Sequence, residues 1–183
     1  MTLHADLTAL LAAAGLVDVD LAEAVEDEHA RWAAYRKIVA VVAGSRSREH
    51  DRAVVAAFVR DPVELVGKSA VVELVDRVAA RSTDPTTFHR WADALLPEVD
   101  RLPTEAQRAF VHRRVRDWEV YLSIKAGRIP TAGELTGLTD WMQRLLAAES
   151  TSRPVLTVLA ATGNTKKVRN LAGHRAARDR DVT

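Results

Sequence analysis

The chain has 183 residues, of which 48% are hydrophobic and 28% are charged, and its formal net charge is +1. This composition is typical of a globular protein long enough to bury its own core, and the charge balance argues against a protein that coats nucleic acid. Because cysteine is absent, the sequence excludes disulfides, cysteine-ligated metal centres and a thiol nucleophile.

Apolar residues recur at helical spacing along the chain, and no Asn-Gly or Asp-Gly hairpin signal interrupts them. Turn-forming residues divide this pattern into about nine predicted helices. They cover about 3–14, 20–43, 47–60, 62–81, 85–96, 104–126, 131–146, 155–162 and 165–176. The predicted fold class is all-α.

The ends of these helices carry cap signals. Gly15 and Gly127 stand where a glycine ends a helix, and Asp61-Pro62 has the N-cap aspartate and following proline of a helix start. Two pairs of residues have the spacing of a capping box: Thr104 with Gln107, and Thr131 with Glu134.

The loops between the predicted helices are short, which places consecutive helices antiparallel. We therefore predict one all-helical domain over 1–176, built from stacked antiparallel helix pairs. The remaining residues, 177–183, are predicted to form a frayed, charged tail.

One segment near the end of the chain has the pattern of a helical repeat. Asn164 is followed four and five positions later by Val168 and Arg169, and then by the small residue Ala172. This pattern resembles the second helix of a HEAT repeat, with Pro154 beginning the first helix. Turns that recur every 38 to 48 residues or so overlap the period of HEAT and armadillo arrays. The resemblance implies a short right-handed superhelix, and an irregular compact helical domain is the alternative.

No compartment signal is present in the sequence. No apolar run approaches the roughly 20 residues that span a membrane, and no lysine or arginine precedes the apolar N-terminal stretch, as it would in a secretory signal. We expect a cytoplasmic protein without a membrane partner. The abundance of arginine and alanine indicates a GC-rich bacterial genome. Such a compositional bias says nothing about the function of the protein.

Motifs for nucleophilic catalysis, dinucleotide binding and phosphate binding are missing from the sequence. We therefore predict a non-enzymatic protein, with no catalytic residue, no cofactor and no assigned metal ligand. Glu26 and His29 have the three-residue spacing with which helical bundles hold pairs of metal ions. Because no second such pair occurs, a metal-binding bundle centred on Glu26 and His29 is only an alternative.

Charge is distributed unevenly along the chain. Residues 1–28 contain seven acids and no lysine or arginine, whereas basic residues concentrate in two later stretches. The candidate binding surface consists of these basic residues: Arg108, His112, Arg113, Arg114, Arg116, Lys166, Lys167, Arg169 and Arg175. Three interpretations of these residues are open. They form a solvated face, they bind the acidic N-terminus within or between subunits, or they contact a nucleic-acid backbone.

The favoured function is that of a protein-interaction or scaffold domain. Stacked helix pairs have concave surfaces that can bind a partner, and the sequence contains no recognisable catalytic motif. Its partner is an unknown protein or a second copy of the chain. Nucleic-acid backbone binding through the C-terminal basic helix is the alternative. Trp32, Trp91, Trp118 and Trp141 each fall on an apolar helical face and are expected to anchor the core.

Overall fold

The computed structural model describes residues 2–178, and these residues contain α-helices and no β-strand. The predicted all-α class is therefore confirmed. The helices of the described chain are α1 (Leu3–Ala13), α2 (Leu21–Glu26), α3 (Glu28–Gly44), α4 (Asp51–Val59), α5 (Glu64–Arg81), α6 (Pro85–Val99), α7 (Glu105–Lys125), α8 (Ala132–Thr136), α9 (Asp140–Glu149), α10 (Arg153–Thr162) and α11 (Lys166–Arg178). Of the predicted tail, 177–178 belong to α11, and 179–183 lie outside the described residues.

The described residues form eleven helices, not about nine, because two predicted helices are each divided by a capping residue. The carboxylate of Asp27 accepts a hydrogen bond from the Ala30 N–H at 2.7 Å, which ends α2 and begins α3. The hydroxyl of Thr139 accepts from the Met142 N–H in the same way and begins α9. Side-chain caps of this kind let the backbone restart a helix where the apolar pattern runs on.

The two predicted glycine caps are confirmed. Gly15 and Gly127 have φ values of +63° and +98°, in the left-handed region that favours glycine. After each of them, the next amide bonds to the carbonyl five residues earlier, at 3.0 Å and 2.9 Å. This is the Schellman arrangement, which satisfies the last carbonyls of α1 and α7.

One of the two predicted capping boxes is present. Thr131 and Glu134 exchange both hydrogen bonds of the motif at the start of α8. The box predicted at Thr104 and Gln107 is wrong, because the Glu64 carboxylate accepts both the Thr104 N–H, at 2.7 Å, and the Thr104 hydroxyl, at 2.6 Å. A long-range partner has replaced the local one.

Within the described chain, residues 2–82 and 86–115 form one compact unit, called unit 1, and residues 83–85 and 116–178 form a second, called unit 2. The division between 115 and 116 falls inside α7. A single domain over 1–176 stays a prediction.

The core of unit 1 is built around α3 and α5, which pack against each other, with α2 on α3 and α4 on α5. The Tyr35 and Phe58 rings lie 4.7 Å apart between centroids, and both side chains are fully buried. Gly67 lets α5 pass close to the end of α4, because a Cβ atom there would lie 2.1 Å from the Phe58 carbonyl oxygen. Only glycine fits at this crossing without moving the backbone.

A buried polar cluster fixes the start of α5 in unit 1. Asp61 accepts hydrogen bonds from Arg31 Nε at 2.9 Å, from the Tyr35 hydroxyl at 2.8 Å and from the Val63 N–H at 2.8 Å. The sequence predicts a helix that begins directly after Asp61. Because the Asp61 carboxylate is engaged in these hydrogen bonds, α5 begins at Glu64 instead. Burial and the neighbouring Asp61 charge raise the pKa of Tyr35, so the phenol stays protonated as a donor.

In unit 2, α11 packs against both α9 and α10, and α10 also contacts α8. The buried Gln143 side chain connects these elements: its Nε2 donates to the Leu135 carbonyl at 2.8 Å, and its Oε1 accepts from the Asn164 N–H at 2.8 Å. The Trp118 ring packs edge-on against Trp141, with centroids 5.7 Å apart. The α8–α9 turn and the α10–α11 turn are therefore held by one side chain.

Candidate functional site

A surface groove in unit 1 exposes apolar side chains from α3, α5 and α7. Two adjoining hollows of about 200 and 360 Å³ share Trp32 and Ser69 as lining residues. We call this surface the tryptophan groove and define it by six residues: Trp32, Leu65, Val66, Ser69, Val72 and Phe110. Leu65 is 58% exposed and Phe110 is 43% exposed.

The sequence of α5 explains why the groove is apolar. Leu65, Ser69 and Val72 are spaced four and three residues apart, which places them on one side of a helix. The buried residues of the same helix, among them Ala70 and Leu74, lie on another side. Helix α5 therefore has apolar residues on two faces, of which the face with Ala70 and Leu74 is buried and the face with Leu65 lines the groove.

The positive charge of the groove comes from Lys68. Three acids also line its two hollows: Glu28, Glu73 and Asp76. The Lys68 Nζ lies 4.6 Å from the centroid of the Phe110 ring, and the guanidinium carbon of Arg114 lies 5.8 Å from the same centroid. Both cations favour the negative face of the ring. Burial, and then the positive charge of Arg114, lower the pKa of Lys68.

Lys68 has no ion-pair partner among residues 2–178, whereas Glu73 and Asp76, two acids that line the same hollow, are engaged. Glu73 accepts from Arg77 at 2.7 Å and lies 3.7 Å from Arg36. Asp76 lies 3.6 Å from Arg114. The groove therefore presents a half-buried ammonium group that lacks a carboxylate, beside an exposed aromatic ring.

Five of the nine predicted surface residues are bonded within their own unit. Three arginines donate to backbone carbonyls: Arg108 to Leu102 at 2.5 Å, Arg169 to Gly163 at 2.6 Å, and Arg175 to Ala147 at 3.3 Å and to Ala148. Two residues pair with acids: His112 with Asp100 at 2.7 Å, and Arg114 with Asp76. These bonds hold loops and helix ends in place, so these five residues have structural roles within their own units.

The other four predicted surface residues, Arg113, Arg116, Lys166 and Lys167, are exposed. The described residues offer none of them an ion-pair partner. Arg108, His112, Arg113 and Arg114 belong to unit 1, and the other five residues of the predicted surface belong to unit 2. Their convergence on one surface stays a prediction.

Glu26 and His29 do not share a helix. Helix α2 ends at Glu26, and His29 lies in the first turn of α3, beyond the Asp27 cap. His29 is 87% exposed and its Nδ1 lies 4.0 Å from Asp27. The helical spacing that motivated a metal site is therefore wrong, and residues 2–178 contain no cluster of three or more histidines and acids arranged to hold an ion.

Unit 2 contains a cleft of about 340 Å³ lined in part by Tyr121, Lys125, Glu149 and Ser150. The Tyr121 hydroxyl donates to Glu149 at 2.7 Å. Burial, followed by this hydrogen bond, raises the pKa of Tyr121 to about 12. The phenol therefore stays protonated at neutral pH and donates its proton to the Glu149 carboxylate in this hydrogen bond.

Comparison of the chain with protein-family models, with curated proteins and with solved structures finds no match. Within residues 2–178, the helices are too short or too polar for any of them to cross a bilayer.

The expectation that all four tryptophans anchor the core is confirmed for Trp91 and Trp118, which are buried, and is wrong for Trp32 and Trp141, which are half-buried. Phe110 is exposed. The signal that could have revealed the groove is the second apolar side of α5. Nothing in the sequence marks Lys68, whose importance depends on the ring that lies beneath it.

Proposed function

We propose that this chain is a non-enzymatic protein-interaction domain that holds an apolar segment with a carboxylate in the tryptophan groove. One observation carries the proposal: exposed Leu65 and Phe110 flank Lys68, a half-buried cation without an acidic partner in the described chain. Aromatic residues in such hollows are typical anchors of protein interfaces.

The groove favours an occupant that is apolar and also carries a carboxylate. Covering Leu65 and Phe110 removes apolar area from water, at about 25 cal/mol for each Å². Covering Lys68 with an apolar group alone would remove water from a charge and leave it unpaired, which is unfavourable. A carboxylate beside the apolar group supplies the missing partner and also offsets the repulsion between Lys68 and Arg114.

Selection from a phage-displayed library of random linear peptides tests the proposal. The bait is the full chain, with counter-selection against Leu65→Asp, which places a charge in the groove. Leu65 lies in the first turn of α5, where an aspartate favours the helix dipole, so this variant keeps its fold. We expect enriched peptides that combine apolar residues with an acid and bind at least tenfold more weakly to Leu65→Asp.

Val41→Asp is the matched control, because Val41 is 43% exposed, as is Phe110, and does not line the groove. Peptides should bind this variant as they bind the native chain. The absence of enrichment, or equal binding to Leu65→Asp, would overturn the proposal.

A HEAT-like relationship is part of the same proposal for unit 2. Helices α10 and α11 pack against each other and are joined by only three residues, 163–165. Val168 and Ala172, two residues of the repeat pattern, are fully buried. This hairpin supports a repeat-type helix pair at the position where the sequence resembles one.

A second candidate function, contact with a nucleic-acid backbone, is supported by Lys166 and Lys167. Both are exposed in the first turn of α11, and the described residues offer them no carboxylate. A gel shift with duplex DNA that weakens with added salt and disappears in K166A/K167A would support it. The absence of a shift at low salt would remove it.

A further inference from the structure

The loop between α1 and α2 presents the most exposed large hydrophobic residue of the described chain. Val17 is 97% exposed. A single exposed valine has no meaning by itself, but Asp18 and Asp20 follow it closely. The loop therefore has the two characters that the tryptophan groove favours, an apolar side chain and a nearby carboxylate.

This loop is held in a defined conformation. The Schellman turn at Gly15 fixes its start, and Asp20 fixes its end by accepting the Glu23 N–H at 3.0 Å. Between them, Asp18 accepts from Lys37 Nζ at 3.1 Å, and this bond holds the pKa of Asp18 below its usual range. The Asp18 side chain is still 71% exposed. A loop that is ordered before binding loses little conformational entropy on docking.

The loop does not fill the groove of its own chain. None of the residues 14–20 lines either hollow. Both surfaces belong to unit 1, so every copy of the chain carries one loop and one groove. The charges at the two surfaces agree with this pairing, because Asp18 and Asp20 lie in the loop and Lys68 and Arg114 lie at the Phe110 ring.

We propose that the chain associates with a second copy of itself, with Val17 of one copy seated between Leu65 and Phe110 of the other and Asp18 facing Lys68. This inference rests on the proposed function, since it names the occupant of the tryptophan groove. Two reciprocal contacts of this kind close a two-fold dimer, whereas one-way contacts build longer chains of copies. The contact area of one loop is small, so the association is weak and depends on concentration.

Analytical ultracentrifugation of the full chain over a concentration series, up to about 1 mM, tests this inference, because that range populates even very weak complexes. We expect the native chain to associate, and Val17→Asp and Leu65→Asp each to be monomeric. Both positions are exposed, so neither change disturbs the core. Ile129→Asp is the matched control: Ile129 is 63% exposed but lies in unit 2.

A mixture of the two variants makes the test specific. Val17→Asp keeps an intact groove and Leu65→Asp keeps an intact loop, so the mixture should associate through one loop–groove contact although neither variant does so alone. Association that survives Val17→Asp, association that Ile129→Asp also abolishes, or a mixture that stays monomeric would overturn the inference.

Failure of this inference can be told apart from failure of the proposed function. A native chain that is monomeric at every concentration and yet binds the selected peptides, with loss of binding in Leu65→Asp, contradicts self-association alone. A monomeric chain that also selects no peptide contradicts both.

Discussion

Arg31 and Asp61 form an ion pair in the interior of unit 1: Arg31 Nε lies 2.9 Å from Asp61 Oδ2, and the two side chains are 4% and 0% exposed. Arg31 also donates to the carbonyls of Ala24 and Val25 at 3.0 and 3.1 Å. One guanidinium therefore connects the end of α2, the middle of unit 1 and the turn before α5. Each member of this pair provides the opposite charge that compensates for the water its buried partner has lost.

Replacing Arg31 with methionine should strongly destabilise the protein. Asp61 keeps its bonds from Tyr35 and Val63 but loses its only cation among the described residues, and breaking a buried pair in this way costs about 3 kcal/mol or more. Urea unfolding measures the change. The control is Arg36→Met: Arg36 is exposed and lies 3.7 Å from Glu73, which keeps its bond from Arg77, so a change below about 0.5 kcal/mol is expected. Equal effects at the two sites would contradict the role of the buried pair.

Two glycine-to-alanine changes should act in opposite directions. In Gly67→Ala the new Cβ meets the Phe58 carbonyl at 2.1 Å, so α4 and α5 must move apart at a cost of about 3 kcal/mol. In Gly173→Ala the nearest atom, the Cβ of Ala160, is 3.8 Å away, and α11 gains up to about 1 kcal/mol from the better helix former. Thermal unfolding of each variant decides the sign.

Asp51 should make the stability of the chain depend on pH. The side chain is buried and accepts from Trp91 Nε1 at 2.8 Å, and burial raises its pKa above the usual value. The folded state therefore takes up a proton at Asp51 at a higher pH than the unfolded state does. As the pH falls through the raised pKa toward 3.8, this group adds stability.

The measurement for Asp51 is the free energy of unfolding of the native chain and of Asp51→Asn at several pH values from neutral to acidic. The asparagine oxygen keeps an acceptor for Trp91 and cannot titrate. The difference, native minus variant, should rise as the pH falls. A difference that stays constant or declines on acidification would contradict the raised pKa.

Gln143→Met should destabilise unit 2. Methionine has a similar shape but removes the acceptor of the Asn164 N–H and leaves the Leu135 carbonyl with the Leu138 N–H alone, at 3.3 Å, so we expect a loss of about 1–3 kcal/mol in total. Near-UV circular dichroism during urea unfolding, a signal to which Trp118 and Trp141 contribute, follows the effect. Leu145→Met, at a half-buried position of the same helix, is the control and should change the stability by less than about 1.5 kcal/mol.

The fold class and the local caps could be predicted from the sequence because they depend on neighbouring residues. Gly15 ends α1 through bonds to its own last turn, and Thr131 with Glu134 begins α8 by the same local logic. Thr104 shows where this reasoning fails: Glu64 is 40 positions away and takes the bonds that a capping box would use. Local signals hold until a tertiary partner competes for the same atoms.

The groove could not be predicted for a related reason. Periodicity shows that Trp32 and Phe110 lie on apolar helical faces, but it does not show how much of each face a neighbouring helix covers. Lys68 is one basic residue among 26 in the sequence, and only the position of the Phe110 ring distinguishes it. The bonds that Arg108, Arg169 and Arg175 donate to backbone carbonyls could not be predicted either, because a sequence does not show which arginines have such partners.

The division between the two units falls inside α7, and this has a practical consequence for anyone who cuts the chain into pieces. In a piece that stops at Val115, the carbonyls of the last turn would lose their hydrogen-bond donors. In a piece that starts at Arg116, the first amides would lose their acceptors. Trimmed halves of this protein must therefore overlap, with the whole of α7 copied into both.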